Sequence, residues 1–243
     1  MRMYVGLNNG GDRIELPAHY NYLVQSAIYS LLPRGLSKKI HDEGFPWDGR
    51  KFKLFTFSRI LGKVRRKNNG KITFSTPVKI AISSAREEII EGLAHSIVKE
   101  GEITLGNCRL EVCEIRIPRE INIDSELKVK TLSPITVYST LFTADGRKKT
   151  YYYTPWEEDF KRIVEENLRK KYAAIHGSLP DGKVEIVPLG RLRETVSIYK
   201  GFIIRGWNGR FLLRGDRELI KIAYDAGIGS KNSLGFGMVE VAR

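Results

Sequence analysis

The chain has 243 residues, 42% hydrophobic and 28% charged, with 41 Lys and Arg against 28 Asp and Glu for a formal net charge of +13. This composition is globular and excludes a disordered chain, and no apolar run approaches the roughly 20 residues that span a bilayer. The cation surplus points to a polyanionic partner, of which nucleic acid is the commonest.

Residues 2–8 (RMYVGLN) read as a strand. A helix is predicted from about Pro17 to Leu32, with proline at a tolerated first-turn position. At 100° per residue Tyr20, Val24, Ala27, Ile28 and Leu31 form its apolar stripe, which leaves Tyr29 on the opposite side near Tyr22 and Gln25. A short helix over Leu36–Glu43 follows. LFTFSRI (54–60) and KITFSTP (71–77) read as strands joined through the basic turn VRRKNNGK, and VKIAI (78–82) continues the sheet. Ser84-Ala-Arg-Glu87 is a capping box that opens a helix closed by Gly101. Strands at 102–105 and 108–117 complete a β-α-β-β-α-β order.

PREINIDSE (118–126) breaks the pattern, so the expected division is 1–119 and 120–243. In the second half 127–139 reads as extended, interrupted by Pro134. Thr154-Pro155-Trp156-Glu157 combines a capping box with proline at the first helical position. Trp156, Phe160, Ile163, Val164 and Leu168 make a helical stripe that ends near Gly177. VEIVPL (184–189), TVSIYKGFIIRG (195–206) and RFLLRG (210–215) are strand-like, with Asn208-Gly209 as the hairpin turn. Asp216 caps a last helix to about Ala226, ahead of a glycine stretch and a terminal strand. The fold class expected is α+β, built as two tandem ferredoxin-like, RRM-like units.

The basic residues are clustered. Twelve lie between Arg34 and Lys71 against three acids, and seven between Arg191 and Arg217 against Glu194 and Asp216. They fall among strands rather than along one amphipathic helix, which disfavours an anionic membrane. MRMYVGLNNGGDR lacks a signal-peptide core, so a cytoplasmic location is expected. Cys108 and Cys113 have odd spacing in a strand and face opposite sides. With four scattered histidines they leave no zinc pattern, and no metal or cofactor is expected.

The glycine stretch GIGSKNSLGFGMVEV (227–241) matches neither a P-loop nor a dinucleotide fingerprint. Its order is helix, loop, strand, whereas phosphate loops of those folds lead into a helix N-terminus. Two readings remain: backbone N–H groups that contact a phosphodiester chain, or a loop packed tightly between helix and strand.

GIGSKNSLGFGMVEV resembles the C-terminal glycine-rich loop of the CRISPR-associated Cas six endoribonucleases of the RAMP superfamily. YNYLVQSAIYSLL, KIHDEG, KLFTFS, KTLSPITV and TPWEEDFKRIVEENLRKKY also resemble family segments, in the expected order and over nearly the whole chain. The resemblance implies two ferredoxin-like domains. It also implies metal-independent cleavage of CRISPR repeat RNA by 2′-hydroxyl attack, giving a 2′,3′-cyclic phosphate and a 5′-hydroxyl. The implied catalytic residues are Tyr29, His41 and Lys53, with Lys51 a rival for the lysine. An imidazole moves protons near neutral pH, a fixed ammonium stabilises phosphorane charge, and a phenol orients or helps activate the nucleophile. Both assignments of base and acid to Tyr29 and His41 stay open.

Expected RNA contacts are Gly227, Gly229, Lys231, Asn232, Ser233, Gly235 and Gly237 in the loop, and Arg65, Arg66 and Lys67 in VRRKNNGK. RNP-type stacking aromatics are not evident in the sheet strands. The family also implies CRISPR repeat RNA as partner, with room for other CRISPR effector subunits and for a monomer or a homodimer. The alternatives are a non-cleaving RNA-binding subunit of a CRISPR effector complex and a basic RRM-like module of another system.

Overall fold

The computed structural model describes residues 1–142 and 145–242. The first half runs β1 (Arg2–Asn8), β2 (Arg13–Pro17), α1 (Asn21–Leu31), α2 (Arg34–Lys38), β3 (Phe45–Trp47), β4 (Arg50–Phe52), β5 (Phe55–Phe57), β6 (Val64–Asn68), β7 (Lys71–Ser75), β8 (Val78–Ser84), α3 (Glu87–Glu100), β9 (Glu102–Leu105) and β10 (Cys108–Arg116). An antiparallel sheet forms in the order β5-β8-β1-β10-β9. Central β1 buries Met3, Val5 and Leu7 completely, with Met3 opposite Ile82 and Val5 opposite Ile80. Ile89, Ile90, Leu93 and Ile97 recur at helical spacing on α3 and are wholly buried. Each such side chain taken from water contributes about 1.5–3 kcal/mol.

The second half repeats the plan with β11 (Glu126–Thr131), β12 (Tyr138–Phe142), β13 (Lys148–Tyr152), α4 (Glu158–His176), β14 (Val184–Tyr199), β15 (Phe202–Gly215), α5 (Arg217–Ala226) and β16 (Val239–Val241). Its sheet order is β14-β15-β11-β16. With β1, β5, β8 and β10 numbered one to four, and β11, β14, β15 and β16 likewise, both sheets read 2-3-1-4. The chain is therefore α+β with two tandem ferredoxin-like units. Among the described residues, no helix is long and apolar enough to cross a membrane.

Polar side chains join the two units. The Arg2 guanidinium lies 3.9 Å from the Tyr224 ring centre on α5 and donates to the Tyr224 carbonyl at 2.8 Å. The Ser83 hydroxyl donates to the Asp225 carbonyl at 2.7 Å. Half-buried Arg59 donates to the Asn21 side-chain oxygen and to Ser197 Oγ, over the Phe236 ring.

Several elements differ from the sequence expectation. Pro17 ends strand β2 instead of opening a helix, because Ile14 and Leu16 alternate inward and pair with β7. Strands 55–57 and 71–75 do not pair. β5 joins β8, whereas β7 joins β6 and β2, turning at Asn69-Gly70 with both φ positive. Ser84 caps no helix; it ends β8, donating to the Leu54 carbonyl and accepting from Arg86 N–H. Thr154–Glu157 makes half a capping box, since the Glu157 carboxylate accepts from Thr154 N–H ahead of α4, and Trp156 stays exposed against Trp207. The long hairpin turns at Lys200-Gly201, φ 47° and 84°, and not at Asn208-Gly209. Asn208 instead sits inside β15, beside the bulge between Leu189 and Arg193, and donates to Thr195 Oγ1 at 2.7 Å.

Candidate active site and cationic cleft

Three separate segments bring Tyr29, His41 and Lys53 together. Tyr29 projects from α1 and is half-buried rather than lying on an open polar face. Its ring meets Phe55 edge-on at 5.8 Å and His41 edge-on at 5.5 Å. Burial, with Tyr199 adding to it, pushes the phenol up to about 12. The shift further favours the protonated phenol, which can donate a hydrogen bond.

His41 stands on a π turn, Lys39–Glu43, that follows α2 and is anchored by fully buried Ile40. Its side chain is 71% exposed, and Nδ1 lies 2.7 Å from Asp42 Oδ1. A carboxylate accepts, so Nδ1 carries a proton, and in the neutral imidazole the lone pair then lies on Nε2. The His41 hydrogen bond in turn holds the Asp42 carboxyl below its ordinary range.

Lys53 donates to the Ile40 and His41 carbonyls, both at 2.5 Å, and Lys51 donates to the Asp42 carbonyl at 3.0 Å. The two lysines thus tie down three successive carbonyls at the end of the turn, where cations are favoured. Lys53 makes the tighter pair of contacts and is bonded to His41 itself. Burial lowers its pKa, and Lys51 lowers it further. Gly44, φ 61°, closes the turn where a Cβ would come 2.7 Å from the Phe52 carbonyl.

Tyr29 and His41 border a small hollow of about 370 Å³ with Arg34, Lys38 and Asp42, whereas Lys53 lines a larger cleft of about 800 Å³ with β4, β12, α4 and the glycine loop. Seven Lys or Arg line it against one carboxylate, Glu166, which Arg162 engages at 2.7 Å. Lys231 lies 4.7 Å from the Tyr138 ring centre at its rim. Asn167, on the wall, has a buried Oδ1 with no hydrogen-bond partner among the described residues.

The glycine loop divides into two parts. Gly227, Gly229, Gly235 and Gly237 are buried, all with positive φ, and the places of their missing side chains are taken by Thr56, Thr136, Phe57 and Ile228. They serve close packing, the second of the two sequence readings. Gly229 to Leu234 line the cleft, where Lys231 and Ser233 are half-exposed and the Asn232 side chain is bonded within the loop and to Lys171. Arg65, Arg66 and Lys67 lie elsewhere, on the exposed β6 hairpin, with Arg65 paired to Asp12 at 2.7 Å. Lys67 borders a separate cleft of about 580 Å³ shared with His19, Lys71 and Ser197. Cys108 and Cys113 are free thiols.

Sequence reasoning missed Asn167 and Lys171. The signal was present: with Phe160, Val164 and Leu168 they occupy the buried stripe of α4. Lys171 is 3% exposed, and burial pushes its ammonium down to about 7.

Two family models match the chain: "CRISPR-associated protein Cas6, N-terminal" over residues 15–116 and "CRISPR associated protein Cas6, C-terminal" over residues 117–241. CRISPR-associated endoribonuclease Cas6 1 of Methanocaldococcus jannaschii is 33% identical over 232 residues, covering 92% of this chain and 86% of that protein. CRISPR-associated endoribonuclease Cas6 of Pyrococcus furiosus is 30% identical over 232 residues, covering 93% and 84%. A solved structure described as an RAMP protein binding different RNA substrates superposes with a TM-score of 0.86 at 27% identity and covers both chains entirely.

Proposed function

We propose that this chain, which belongs to the CRISPR-associated Cas6 family, cuts CRISPR repeat RNA by a metal-independent transesterification. The observation that carries this reading is the edge-on contact of Tyr29 with His41 at 5.5 Å, beside Lys53, which is bonded to the His41 carbonyl and itself lines the cationic cleft. The relatives named as endoribonucleases support the reaction class.

His41 Nε2 is the free base of the group and takes the proton of the 2′-hydroxyl. The 2′-oxygen forms a bond to the adjacent phosphorus as the bond to the 5′-oxygen breaks. Tyr29, held in its protonated form, gives its proton to the 5′-oxygen as that bond breaks, and the proton taken up by His41 restores the phenol. Lys53 fixes the turn that carries His41 and adds positive charge beside the phosphorane. The products are a 2′,3′-cyclic phosphate and a 5′-hydroxyl end. Arg50, Lys170 and Lys231 hold phosphates along the cleft, so affinity falls as salt rises.

Incubation with repeat RNA in EDTA tests this directly. Cleavage is expected to survive chelation and to vanish when the nucleotide 5′ of the scissile bond carries 2′-deoxyribose. Tight binding without a cut would replace the enzyme with a non-cleaving RNA-binding subunit.

A further inference from the structure

We propose that Lys171 is a positioning residue for cleavage: its buried ammonium anchors the first limb of the glycine loop and, through Asn232, its second limb, and so places residues 230–234 on the floor of the cleft. The inference rests on the nuclease reading above for its functional part and on geometry alone for the clamp.

Lysine is almost never fully buried without a charged partner, and Lys171 has no ion pair among the described residues. Its three N–H donors instead meet the Gly227 carbonyl at 2.7 Å, the Gly229 carbonyl at 3.3 Å and Asn232 Oδ1 at 2.7 Å. Asn232 extends the clamp, donating through Nδ2 to the Ile228 carbonyl at 3.2 Å and the Phe236 carbonyl at 3.0 Å. Two side chains therefore collect four backbone carbonyls from both limbs of the loop. An apolar side chain of the same length would fill the space without the cost of burying a charge. It would also leave the Gly227 and Gly229 carbonyls and Asn232 Oδ1 without that donor, so the amine is needed for its N–H groups.

The clamped loop is braced against the elements that carry the candidate catalytic groups. The Phe236 carbonyl also accepts from Thr56 Oγ1 at 2.9 Å on β5, next to Phe55, whose ring meets Tyr29. Asn21, on the helix that bears Tyr29, donates to the Leu234 carbonyl at 2.8 Å and the Gly235 carbonyl at 3.2 Å. A loop released from Lys171 is thus free to shift against both α1 and β5.

The charged groups sharing the cleft with Lys171 are Lys170 and Arg162 on its own helix, Lys231 on the loop, and Arg50, Lys51 and Lys53 across it, with Glu166 engaged by Arg162. None of them neutralises it, and loss of its proton leaves two donors for three acceptors.

Lys171→Met tests the clamp in the full chain, with repeat RNA as the probe. Amides of residues 228–236 are expected to exchange faster than in the native protein while the rest of the chain keeps its protection. The single-turnover rate at saturating protein should fall about 10- to 100-fold, the scale of a misplaced reacting group, with Kd for the RNA within about threefold. Across a pH series, the native rate should fall on the alkaline side of about pH 7 and that limb should flatten in the variant. If Lys171→Met does not fold, Asn232→Ala, at a half-exposed position in the same clamp, is read in the same way. Native exchange of the loop in the variant that folds, or a rate loss fully matched by a smaller active fraction, overturns the proposal. Native protein that binds RNA but never cuts it defeats the nuclease reading, and loop exchange then decides the clamp by itself.

Discussion

His41→Ala is expected to lower the single-turnover rate of repeat-RNA cleavage by about 10²–10⁴-fold, the usual worth of a positioned acid or base. RNA affinity should stay within about threefold of the native value, because the substitution removes a proton acceptor and not a phosphate contact. The side chain is 71% exposed, with its ring edge-on to Tyr29 and bonded to Asp42. Stability should therefore change by no more than about 0.5 kcal/mol, as for other surface positions. Quench-flow cleavage and filter binding on the same RNA measure the two quantities separately. Lost binding at an unchanged rate would sink the assignment of His41 as base.

Gly237→Ala has the largest expected effect on stability, a loss of about 2–5 kcal/mol from backbone strain and overpacking together. Gly237 has φ 75°, and a Cβ there would run into the Ile228 carbonyl oxygen and lie 2.7 Å from Asn232 Nδ2. The Ile228 oxygen is backbone, held at both limbs of the loop, so it cannot swing aside as a flexible side chain would. Gly10→Ala is the control: its φ is 72°, but nothing lies within 4 Å of the added carbon. That variant should lose only the left-handed penalty of about 1–2 kcal/mol. Urea midpoints at unchanged slope report the difference. Equal losses in the two variants would mean that the loop yields, and the close-packing account would fail.

Some of this molecule is readable one residue at a time. Gly101 and Gly177 close helices in the left-handed conformation, Asp216 Oδ1 accepts from Leu219 N–H, and the apolar stripes of α3 and α4 turn inward as their spacing requires. These features depend on neighbours within a few residues, so local sequence carries them. Reading failed where two local solutions were equally good. Lys200-Gly201 and Asn208-Gly209 both accept positive φ, and only the pairing of β14 with β15 along sixteen and fourteen residues selects the first. Ser84 looked like a cap for the same reason, but strand β8 needs its hydroxyl against the Leu54 carbonyl.

The candidate site shows the same division. Sequence by itself determined the order of the elements, the cation surplus, the family resemblance and the identities of Tyr29, His41 and Lys53. Tertiary structure alone decided that Tyr29 packs half-buried against Phe55 and His41, where burial raises its pKa further. It also decided that Lys51 and Lys53 grip one turn, that the four loop glycines face protein, and that Lys171 is the hidden clamp. Each of these is a contact between residues far apart in the chain. Their burial and their hydrogen bonds exist only once the two sheets have closed on each other, and no local pattern of residues encodes that distance.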